Sequence, residues 1–289
     1  MSHVLALIAS KPPLDPGLIA SVRALVGGGT PEVLAPGEAV DLPVPEMPDL
    51  EAVRQSLAPA GVDAILVPIE DRRKRLLVAD MDSTIVTGET LDELADFAGL
   101  KREIAAITRR SMNGEIDFAE ALRQRVAMLR GLTRDALEKT WERVRLTEGA
   151  VTLVRTMRAH GACCALVSGG FTYFTARVAE LAGFDAHFAN TLLDDGHALT
   201  GHVAEPILDR DAKVATLRGL ARERGLPMVQ TMAVGDGAND LAMLSEAGIG
   251  VAFHAKPIVA AEARARVDHG NLRALLFAQG YRAEEFAAA

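Results

Sequence analysis

An apolar run that ends in two carboxylates is the first place in this sequence where chemistry could occur. Residues 76–79, Leu-Leu-Val-Ala, have the continuous apolar pattern of a buried parallel strand, and Asp80 and Asp82 follow it. Carboxylates at the end of a buried strand need an opposite charge, which a divalent cation beside a bound phosphate would supply. Asp80 could attack phosphorus, and Asp82 could act as acid and base. Thr84 could hold Asp80 or a phosphate oxygen, whereas the alternative is an Asx turn that caps the next helix.

Two further predicted strands also end in polar loops. Residues 162–167 lead into Ser168-Gly169-Gly170, where a hydroxyl and free backbone N–H groups could close on an anion. Residues 231–234 lead into Gly235-Asp236-Gly237, and Asn239 and Asp240 follow, so that three oxygen side chains suited to a hard cation lie within five residues. Taken alone, the first loop is an ordinary turn and the second is an Asx-rich helix start.

The three loops are more specific together than apart. In an open parallel sheet, ligands gather at the carboxyl ends of the strands, and all three loops lie at such ends. Lys213 lies near the start of a predicted helix between the second and third loops, where it could neutralise the aspartates and a transferring phosphoryl group. The sequence therefore predicts an α/β fold in which a Rossmann-like parallel sheet gathers a phosphate and cation site at one edge.

The order of these motifs resembles that of the haloacid dehalogenase superfamily of phosphotransferases. The matching positions are Asp80, Asp82 and Thr84, then Ser168-Gly169-Gly170, then Lys213, then Gly235-Asp236-Gly237 with Asn239 and Asp240. Longer stretches resemble the phosphoserine phosphatase family within that superfamily, namely DMDSTIVTGETLDELA, MNGEIDFAEALRQRV, VSGGF, FAN, LTG and AVGDGANDLAML. The resemblance covers most of the chain from residue 75 to residue 280.

This resemblance implies a Mg²⁺-dependent phosphatase that hydrolyses O-phospho-L-serine to L-serine and phosphate, the last step of serine biosynthesis. It implies that Asp80 is the nucleophile and that Asp82 is the acid and base, while Asp80, the main chain of Asp82, and Asp236 hold Mg²⁺. The phosphoryl group would be bound by Ser168, Gly169, Gly170, Lys213 and Asn239, with Thr84, Gly237 and Asp240 in support.

Residues 88–146 are expected to form a helical cap inserted after the first strand of the sheet. Apolar residues recur there at helix spacing, and a helical insertion at this point would cover the site as a lid. The resemblance places substrate-binding residues in this lid: Glu89 for an ammonium group and Arg125 for a carboxylate, with Met112 and Phe118 as lining. From the pattern alone, Glu89 is a helix-start charge, Arg125 a surface residue, and the other two are core residues.

Residues 1–72 are predicted to form a separate unit, followed by a charged linker (Asp71 to Arg75) and a catalytic domain over 75–289. A strand at 3–9, a helix at 16–26, two short strands within 31–44, a helix at 49–58 and a strand at 64–68 predict the βαββαβ order of a ferredoxin-like unit. That order resembles an ACT-type regulatory domain. We expect the unit to pack against its own catalytic domain or to mediate a homodimer. The C-terminal region is expected to be helical after a strand at 248–253 and to fray over 284–289.

Composition narrows the classes of partner. A net charge of −8 over 289 residues argues against nucleic acid, and no apolar run approaches the roughly 18 residues that span a membrane. Cys163 and Cys164 are neighbours in a predicted strand, so they point to opposite faces and are poorly placed for a disulfide. Free thiols and the lack of a signal-peptide pattern at the first residues predict a cytoplasmic location.

Two other functions stay open. The same site could act on another small phosphate ester, although Glu89 with Arg125 favours an amino-acid substrate. Alternatively, an aspartyl-phosphate could be the message of a phospho-accepting or ligand-sensing signalling protein. A receiver domain would lack an acid at the position of Asp82 and would lack the long lid, so Asp82 argues for an enzyme.

Overall fold

Two separate sheets organise the chain, and the computed structural model describes residues 3–112 and 115–288 of it. The N-terminal sheet is antiparallel, in the order β2-β3-β1-β4. Its elements are β1 (His3–Ala9), α1 (Pro16–Leu25), β2 (Glu32–Ala35), β3 (Ala39–Val44), α2 (Leu50–Leu57) and β4 (Val62–Pro68). Asp15 and Asp49 begin the two helices, because their carboxylates accept the N–H groups of Gly17 and Ala52. The predicted βαββαβ order is confirmed, and the sheet order is that of a ferredoxin-like unit.

The two faces of this antiparallel sheet are both buried. Alternate side chains such as Leu5 and Leu7 pack with Val22 of α1 and Val53 of α2. The opposite face, which includes Ala6, Ile8, Ile65 and Val67, belongs to the same apolar cluster as the C-terminal part of the chain. The N-terminal unit therefore shares a hydrophobic core with the rest of the protein.

The second sheet has six strands, all parallel, in the order β12-β11-β10-β5-β6-β7. The chain enters at its middle with β5 (Leu76–Ala79), builds outward through β6 (Cys163–Phe171) and β7 (Ala186–Asn190), and then adds the other side. That other side is β10 (Thr231–Gly235), β11 (Ile249–Phe253) and β12 (Ala265–Val267). The strand order therefore reverses beside β5, and the crevice for a ligand lies at such a switch point.

The cap is inserted between β5 and β6, as the sequence predicts. It consists of α3 (Thr90–Phe97), α4 (Lys101–Met112), α5 (Phe118–Met128) and α6 (Arg134–Arg143). The two chain segments that enter and leave the cap run side by side, since Thr87 N–H donates to Arg145 O at 3.0 Å and Thr147 N–H donates to Ile85 O at 2.9 Å. These paired segments fix where the cap begins and ends.

Helices cover both faces of the parallel sheet, which explains why its central strands are apolar throughout. On one face, α7 (Ala150–Ala159), α8 (Thr172–Ala182) and α12 (Ala274–Ala278) pack with Leu77 of β5. On the other face, α9 (Arg210–Glu223), α10 (Leu241–Glu246) and α11 (Pro257–Glu262) pack with Leu76 and Val78. Among the helices that the structure describes, none is long and apolar enough to cross a membrane.

The structure corrects three sequence expectations. The apolar pattern predicts strands at 186–190 and 198–203 and none between them, but β8 (Leu192–Asp194) lies between them and pairs with β9 (Leu199–Val203) as a hairpin. This hairpin contacts the end of the cap, where Gly131 N–H donates to Leu199 O. The tail after β11 was expected to be all helical, yet it contains β12, whose Ala265 and Val267 are buried. Residues 284–288 were expected to fray, but they are anchored, since Ala287 N–H donates to Thr156 Oγ1 at 2.9 Å.

Buried carboxylates join the N-terminal unit to the C-terminal region. Asp63 of β4 accepts the backbone N–H groups of Asp268 at 2.8 Å, His269 at 3.1 Å and Gly270 at 2.7 Å. Asp41 of β3 forms a bidentate pair with Arg72, which also donates to the carbonyls of α12 residues Phe277 and Ala278. Burial raises the pKa of Asp63 while its three backbone donors oppose that rise.

We predict that Asp63→Ala lowers the free energy of unfolding by about 2 kcal/mol, because it leaves buried N–H groups without an acceptor while it removes a costly buried charge. Urea unfolding followed by circular dichroism measures the change. The matched control is Glu51→Ala, since Glu51 is a half-exposed carboxylate that pairs with Arg266 across the same interface and should matter by less than about 0.5 kcal/mol. Equal losses for the two variants would contradict the assignment of Asp63 as the interface anchor.

Candidate active site

A buried lysine bridges two of the predicted site carboxylates. Lys213 lies in the first turn of α9, which begins after Asp209, and its Nζ donates to Asp80 Oδ1 at 2.6 Å and to Asp240 Oδ1 at 2.6 Å. Only 1% of the Lys213 surface is exposed, and Asp240 is fully buried. Although burial opposes it, the charges of Asp240 and Asp80 raise the pKa of Lys213. This lysine is therefore a permanent cation between the ends of β5 and β10.

The carboxylates of Asp80, Asp236 and Asp240 form one acidic cluster. An oxygen from each lies within 4.8 Å of an oxygen from the others. Lys213 supplies one buried positive charge, and the half-exposed Lys256 stays 3.7 Å from Asp236. Burial, with the charge of Asp240, raises the pKa of Asp80 well above its usual range and raises that of Asp236 to about 6. Three buried carboxylates with one buried ammonium fit a hard divalent cation that would neutralise the excess charge.

Glycines allow the loop after β10 to close around this cluster. The Asp240 carboxylate turns back to accept the N–H of Gly237 at 3.0 Å. A Cβ on Gly235 would approach Asp240 Cγ to 2.4 Å, so any larger residue at that position would displace the carboxylate. Asn239, predicted to bind substrate, lies exposed at the rim of the same loop.

The Asp82 carboxylate is not part of the acidic cluster. One of its carboxylate oxygens accepts the N–H of Thr90 at 2.8 Å, and the other accepts the Ser168 hydroxyl at 3.4 Å. Burial, followed by the charge of Glu89, raises the pKa of Asp82 to about 7. A carboxyl group with a pKa near neutrality can both give and take a proton, which suits general acid and base chemistry. The main chain of Asp82, and not its side chain, is the part expected to face a cation.

Ser168 to Gly170, expected to form a loop after a strand that ends at 167, are instead the last part of β6, which runs to Phe171 with a shift in its register against β7. The Ser168 hydroxyl is buried and accepts the N–H of Gly170 at 2.9 Å, and a Cβ on Gly170 would come within 3.1 Å of Asp82 Oδ2. Asn190, at the end of β7, donates to Gly169 O at 3.0 Å and to Leu208 O at 3.1 Å. Asn190 thereby ties the end of β6 to the segment that leads into α9.

Sequence reasoning gave no role to Asn190 or to Thr90. The triplet FAN at 188–190 is the signal that could have identified Asn190, because an Asn that ends a predicted parallel strand lies at the ligand edge of the sheet. For Thr90 the interaction uses a backbone N–H, which its residue type does not reveal. Thr84, predicted to support the site, is fully buried, and its hydroxyl has no hydrogen-bond partner among the described residues.

Helix α5 of the cap carries two of the predicted substrate-binding residues, Phe118 and Arg125. The space beside Gly169 is filled by Phe118, since a Cβ on that glycine would come within 3.2 Å of the phenyl ring. Arg125 is half-buried and donates to Thr108 Oγ1 at 3.4 Å. Burial lowers the pKa of Arg125, while the charges of Asp92 and Glu89 oppose that change. Arg125 is therefore not a plain surface residue. The side chain of Met112 lies outside the described residues.

Glu89 lies at the start of α3 with an exposed side chain. Its carboxylate makes no capping bond to the helix and instead accepts the Ser83 hydroxyl at 2.7 Å. Glu89 therefore lies at a helix start, as the pattern alone predicts, and its carboxylate is hydrogen-bonded to Ser83 and not to the helix backbone.

Comparisons with known proteins agree with this geometry. The family model described as haloacid dehalogenase-like hydrolase matches residues 77–245. A phosphoserine phosphatase of Streptococcus thermophilus is 47% identical over 199 residues, which are 69% of this chain and 93% of that protein. The chain spans 64%, 58% and 58% of the length of three other curated relatives with that name, from Archaeoglobus fulgidus, Streptomyces coelicolor and Mycobacterium tuberculosis.

Solved structures resemble both parts of the chain. A probable phosphoserine phosphatase of Vibrio cholerae, in unliganded form, superposes with a TM-score of 0.81 at 31% identity and covers 96% of this chain and 86% of its own. A structure described as a phospho-aspartyl intermediate analogue of phosphoserine phosphatase has a TM-score of 0.65 at 39% identity and covers 71% of this chain and 98% of its own.

We predict that Lys213→Met lowers the free energy of unfolding at pH 7.5 by about 3–5 kcal/mol, because it leaves buried carboxylates without a cation. Removing the ammonium raises the pKa of Asp80 in the folded state further above its value in the unfolded state. The folded variant then binds more protons than the unfolded chain, so its stability should increase as the pH falls towards 5. Denaturant unfolding at the two pH values tests this.

The control for this prediction is Lys139→Met. Lys139 pairs with Asp135 at 2.6 Å on an exposed face of α6, so its loss should change stability little at either pH. A Lys213→Met protein as stable as this control at pH 7.5 would show that Lys213 does not neutralise the cluster.

Proposed function

The chain belongs to the haloacid dehalogenase-like hydrolase family, and on that premise we propose that it is a Mg²⁺-dependent phosphatase that converts O-phospho-L-serine to L-serine and phosphate. The observation that carries the proposal is the pairing of two different aspartates at the end of β5. Asp80 is fixed by Lys213 at 2.6 Å beside the acidic cluster, while Asp82 is turned towards Thr90 and Ser168 with a pKa near 7. Cleavage of an unactivated phosphate ester needs an ionised nucleophile next to a protonated acid. Burial and Asp240 raise the pKa of Asp80, but the Lys213 ammonium opposes that rise, and a bound divalent cation would favour the ionised form further.

The residues divide the reaction between them. Asp80 attacks phosphorus through a carboxylate oxygen, and Asp82 protonates the serine oxygen as the P–O bond breaks. Asp82 then takes a proton from the water that attacks the aspartyl-phosphate, which returns Asp80 to its starting state. Lys213 and the Ser168 to Gly170 segment at the end of β6 would bind the phosphoryl oxygens. Asp80, Asp236 and the main chain of Asp82 would hold Mg²⁺, which when bound supplies positive charge to the phosphoryl group.

The cap residues would select the substrate. Glu89 and Arg125 are cap residues of opposite charge. Burial lowers the pKa of Arg125, and the charges of Asp92 and then Glu89 oppose that change. A carboxylate suits the ammonium group of an amino acid, and a guanidinium suits its carboxylate. Phe118, against Gly169, would close the apolar side of the pocket. Phosphoserine has both an ammonium group and a carboxylate, and the relatives are named for activity on it, which supports it as the substrate.

The organisation of the whole protein extends this proposal. We assign residues 1–72 to a ferredoxin-like, ACT-like unit and residues 75–289 to the catalytic domain, with the cap over about 88–146. The apolar cluster shared across both sheets supports docking of the N-terminal unit on its own catalytic domain. A homodimer, an effector of the N-terminal unit and a cytoplasmic location stay predictions.

A panel of phosphate esters tests the function. Phosphate release should be fastest with O-phospho-L-serine, should require Mg²⁺, and should be absent in folded Asp80→Asn, because an amide cannot attack phosphorus. Phosphoethanolamine lacks the carboxylate, and 3-phosphooxypropanoate lacks the amine. Faster release from a sugar phosphate or from either truncated ester would reject phosphoserine as the substrate.

Arg125→Ala should raise KM for O-phospho-L-serine by at least tenfold while it changes KM for phosphoethanolamine by less than about threefold, since a charge-assisted bidentate contact is worth roughly 1.5–3 kcal/mol. Steady-state kinetics with both esters measures the difference. Arg123→Ala is the matched control, because Arg123 lies on the same helix but faces Glu205 at the surface. Equal losses for both esters would mean that Arg125 does not bind the substrate carboxylate.

The rate of the first chemical step should fall as pH rises above about 7 with O-phospho-L-serine, because Asp82, with its pKa raised to about 7 by burial, must be protonated to donate. p-Nitrophenyl phosphate has a leaving group that needs no proton, so its first step should lack this decline. Rapid-quench measurement of phospho-enzyme between pH 5.5 and 9 separates the two substrates. The same decline with both would assign the titration to another group.

A further inference from the structure

Ser83 occupies an unusual backbone conformation inside the catalytic turn. Within Met81–Ile85, Ser83 has φ 55° and ψ 4°, in the left-handed region that residues other than glycine seldom adopt. Such a conformation persists only where surrounding contacts hold it, and it recurs at functional sites. The contacts that hold Ser83 in this conformation are made with residues at the beginning of the cap.

Two hydrogen bonds connect Ser83 to the residues that precede α3. Its backbone N–H donates to Gly88 O at 3.1 Å, and its hydroxyl donates to Glu89 Oε1 at 2.7 Å. The left-handed turn makes both possible, because it directs the N–H and the side chain of one residue to the same segment. The chain between Ser83 and Glu89 thereby forms a closed turn that connects the nucleophile segment to the cap.

Glu89 is free to use its second carboxylate oxygen on another group. Its carboxylate does not cap α3, and among the described residues its hydrogen-bond partner is the Ser83 hydroxyl. After burial, the charge of Glu89 is the next contribution that raises the pKa of Asp82, in keeping with the hydrogen bond that holds Glu89 to Ser83, the residue after Asp82. An exposed glutamate has several rotamers, and a single hydrogen bond at one oxygen restricts that freedom.

We propose that Ser83 is a positioning residue for substrate specificity: its hydroxyl holds the Glu89 carboxylate in the orientation that binds the substrate ammonium group. The inference rests on the proposed function, in which Glu89 binds that group. In this assignment the Ser83 hydroxyl bonds to Glu89 and not to the phosphoryl group or to the carboxylate of the acid Asp82. Its loss should therefore affect binding of amino substrates and spare the chemical step.

The test compares two esters that differ only in the amine, O-phospho-L-serine and 3-phosphooxypropanoate. Ser83→Ala should raise KM for phosphoserine about five- to tenfold with kcat within about twofold, since a hydrogen bond to a charged group is lost. KM for 3-phosphooxypropanoate should not change. Ser83→Gly removes the same hydroxyl and relieves the left-handed strain, so it should give the same ratio of KM values, and it serves if Ser83→Ala folds poorly.

A double-mutant cycle with Glu89→Gln separates this inference from the proposed function. If Ser83 acts through Glu89, Ser83→Ala should add little to the KM change that Glu89→Gln already causes for phosphoserine. Discrimination between the esters that is lost in Glu89→Gln but kept in Ser83→Ala would overturn the role of Ser83 alone. Discrimination that survives in both variants would overturn the ammonium-binding role of Glu89 and with it the inference. A difference between Ser83→Ala and Ser83→Gly would assign the effect to backbone conformation and not to the hydroxyl.

Discussion

The double bridge from the Lys213 ammonium to Asp80 and Asp240 is the interaction on which the site depends. Removing an ammonium and two carboxylates from water costs several kcal/mol per ion, so such a triad is seldom kept for stability alone. Here it joins three elements that are distant in sequence: the end of β5, the start of α9 and the loop after β10. Because all three must arrive at one point, the bridge sets the relative placement of the nucleophile, the loop after β10 that carries the other cluster carboxylates, and the start of α9. The charge that Lys213 leaves unbalanced is what makes a cation fit beside Asp236.

The parallel sheet explains how these elements meet. Its chain starts in the middle at β5 and returns to the other side through β10, so two polar loops diverge at the switch point and leave a crevice between them. The strands around the crevice are buried on both faces, so they can carry charge only at their ends. Asn190, at the end of β7, acts at the same edge of the sheet, since its amide ties the end of β6 to the segment before α9. The order of strands thus decides which loops can share a substrate.

How much of this could be predicted from the sequence depends on whether the signal is local. The apolar runs of β5, β6 and β10 and the helical spacing of the cap are local, and their polar ends predicted the gathering of Asp80, Ser168 and Asp236. The strand β12 was missed because three residues carry too little pattern, and it forms only where β11 offers an edge. The bond from Thr90 to Asp82 and the left-handed Ser83 were missed because each depends on a backbone geometry that many residue types could adopt. The acidic cluster also contains Asp240, which the family resemblance predicts only as a residue that supports the site.

The segment from Asp82 to Thr90 connects the acid of the proposed reaction to the cap residue proposed to select the substrate. The first N–H of α3 binds the Asp82 carboxylate, so the acid is built partly from the core and partly from the cap. The same short segment contains Ser83 and Glu89, which are hydrogen-bonded to each other. Phe118 of the cap packs beside Gly169 at the end of β6. A displaced cap would therefore remove a hydrogen bond that favours the ionised form of Asp82, expose that carboxyl to water, and separate Glu89 from the cleft at once. Burial is the largest cause of the raised pKa of Asp82, so the pKa of this acid depends on how well the surrounding core and cap residues exclude water from its carboxyl group.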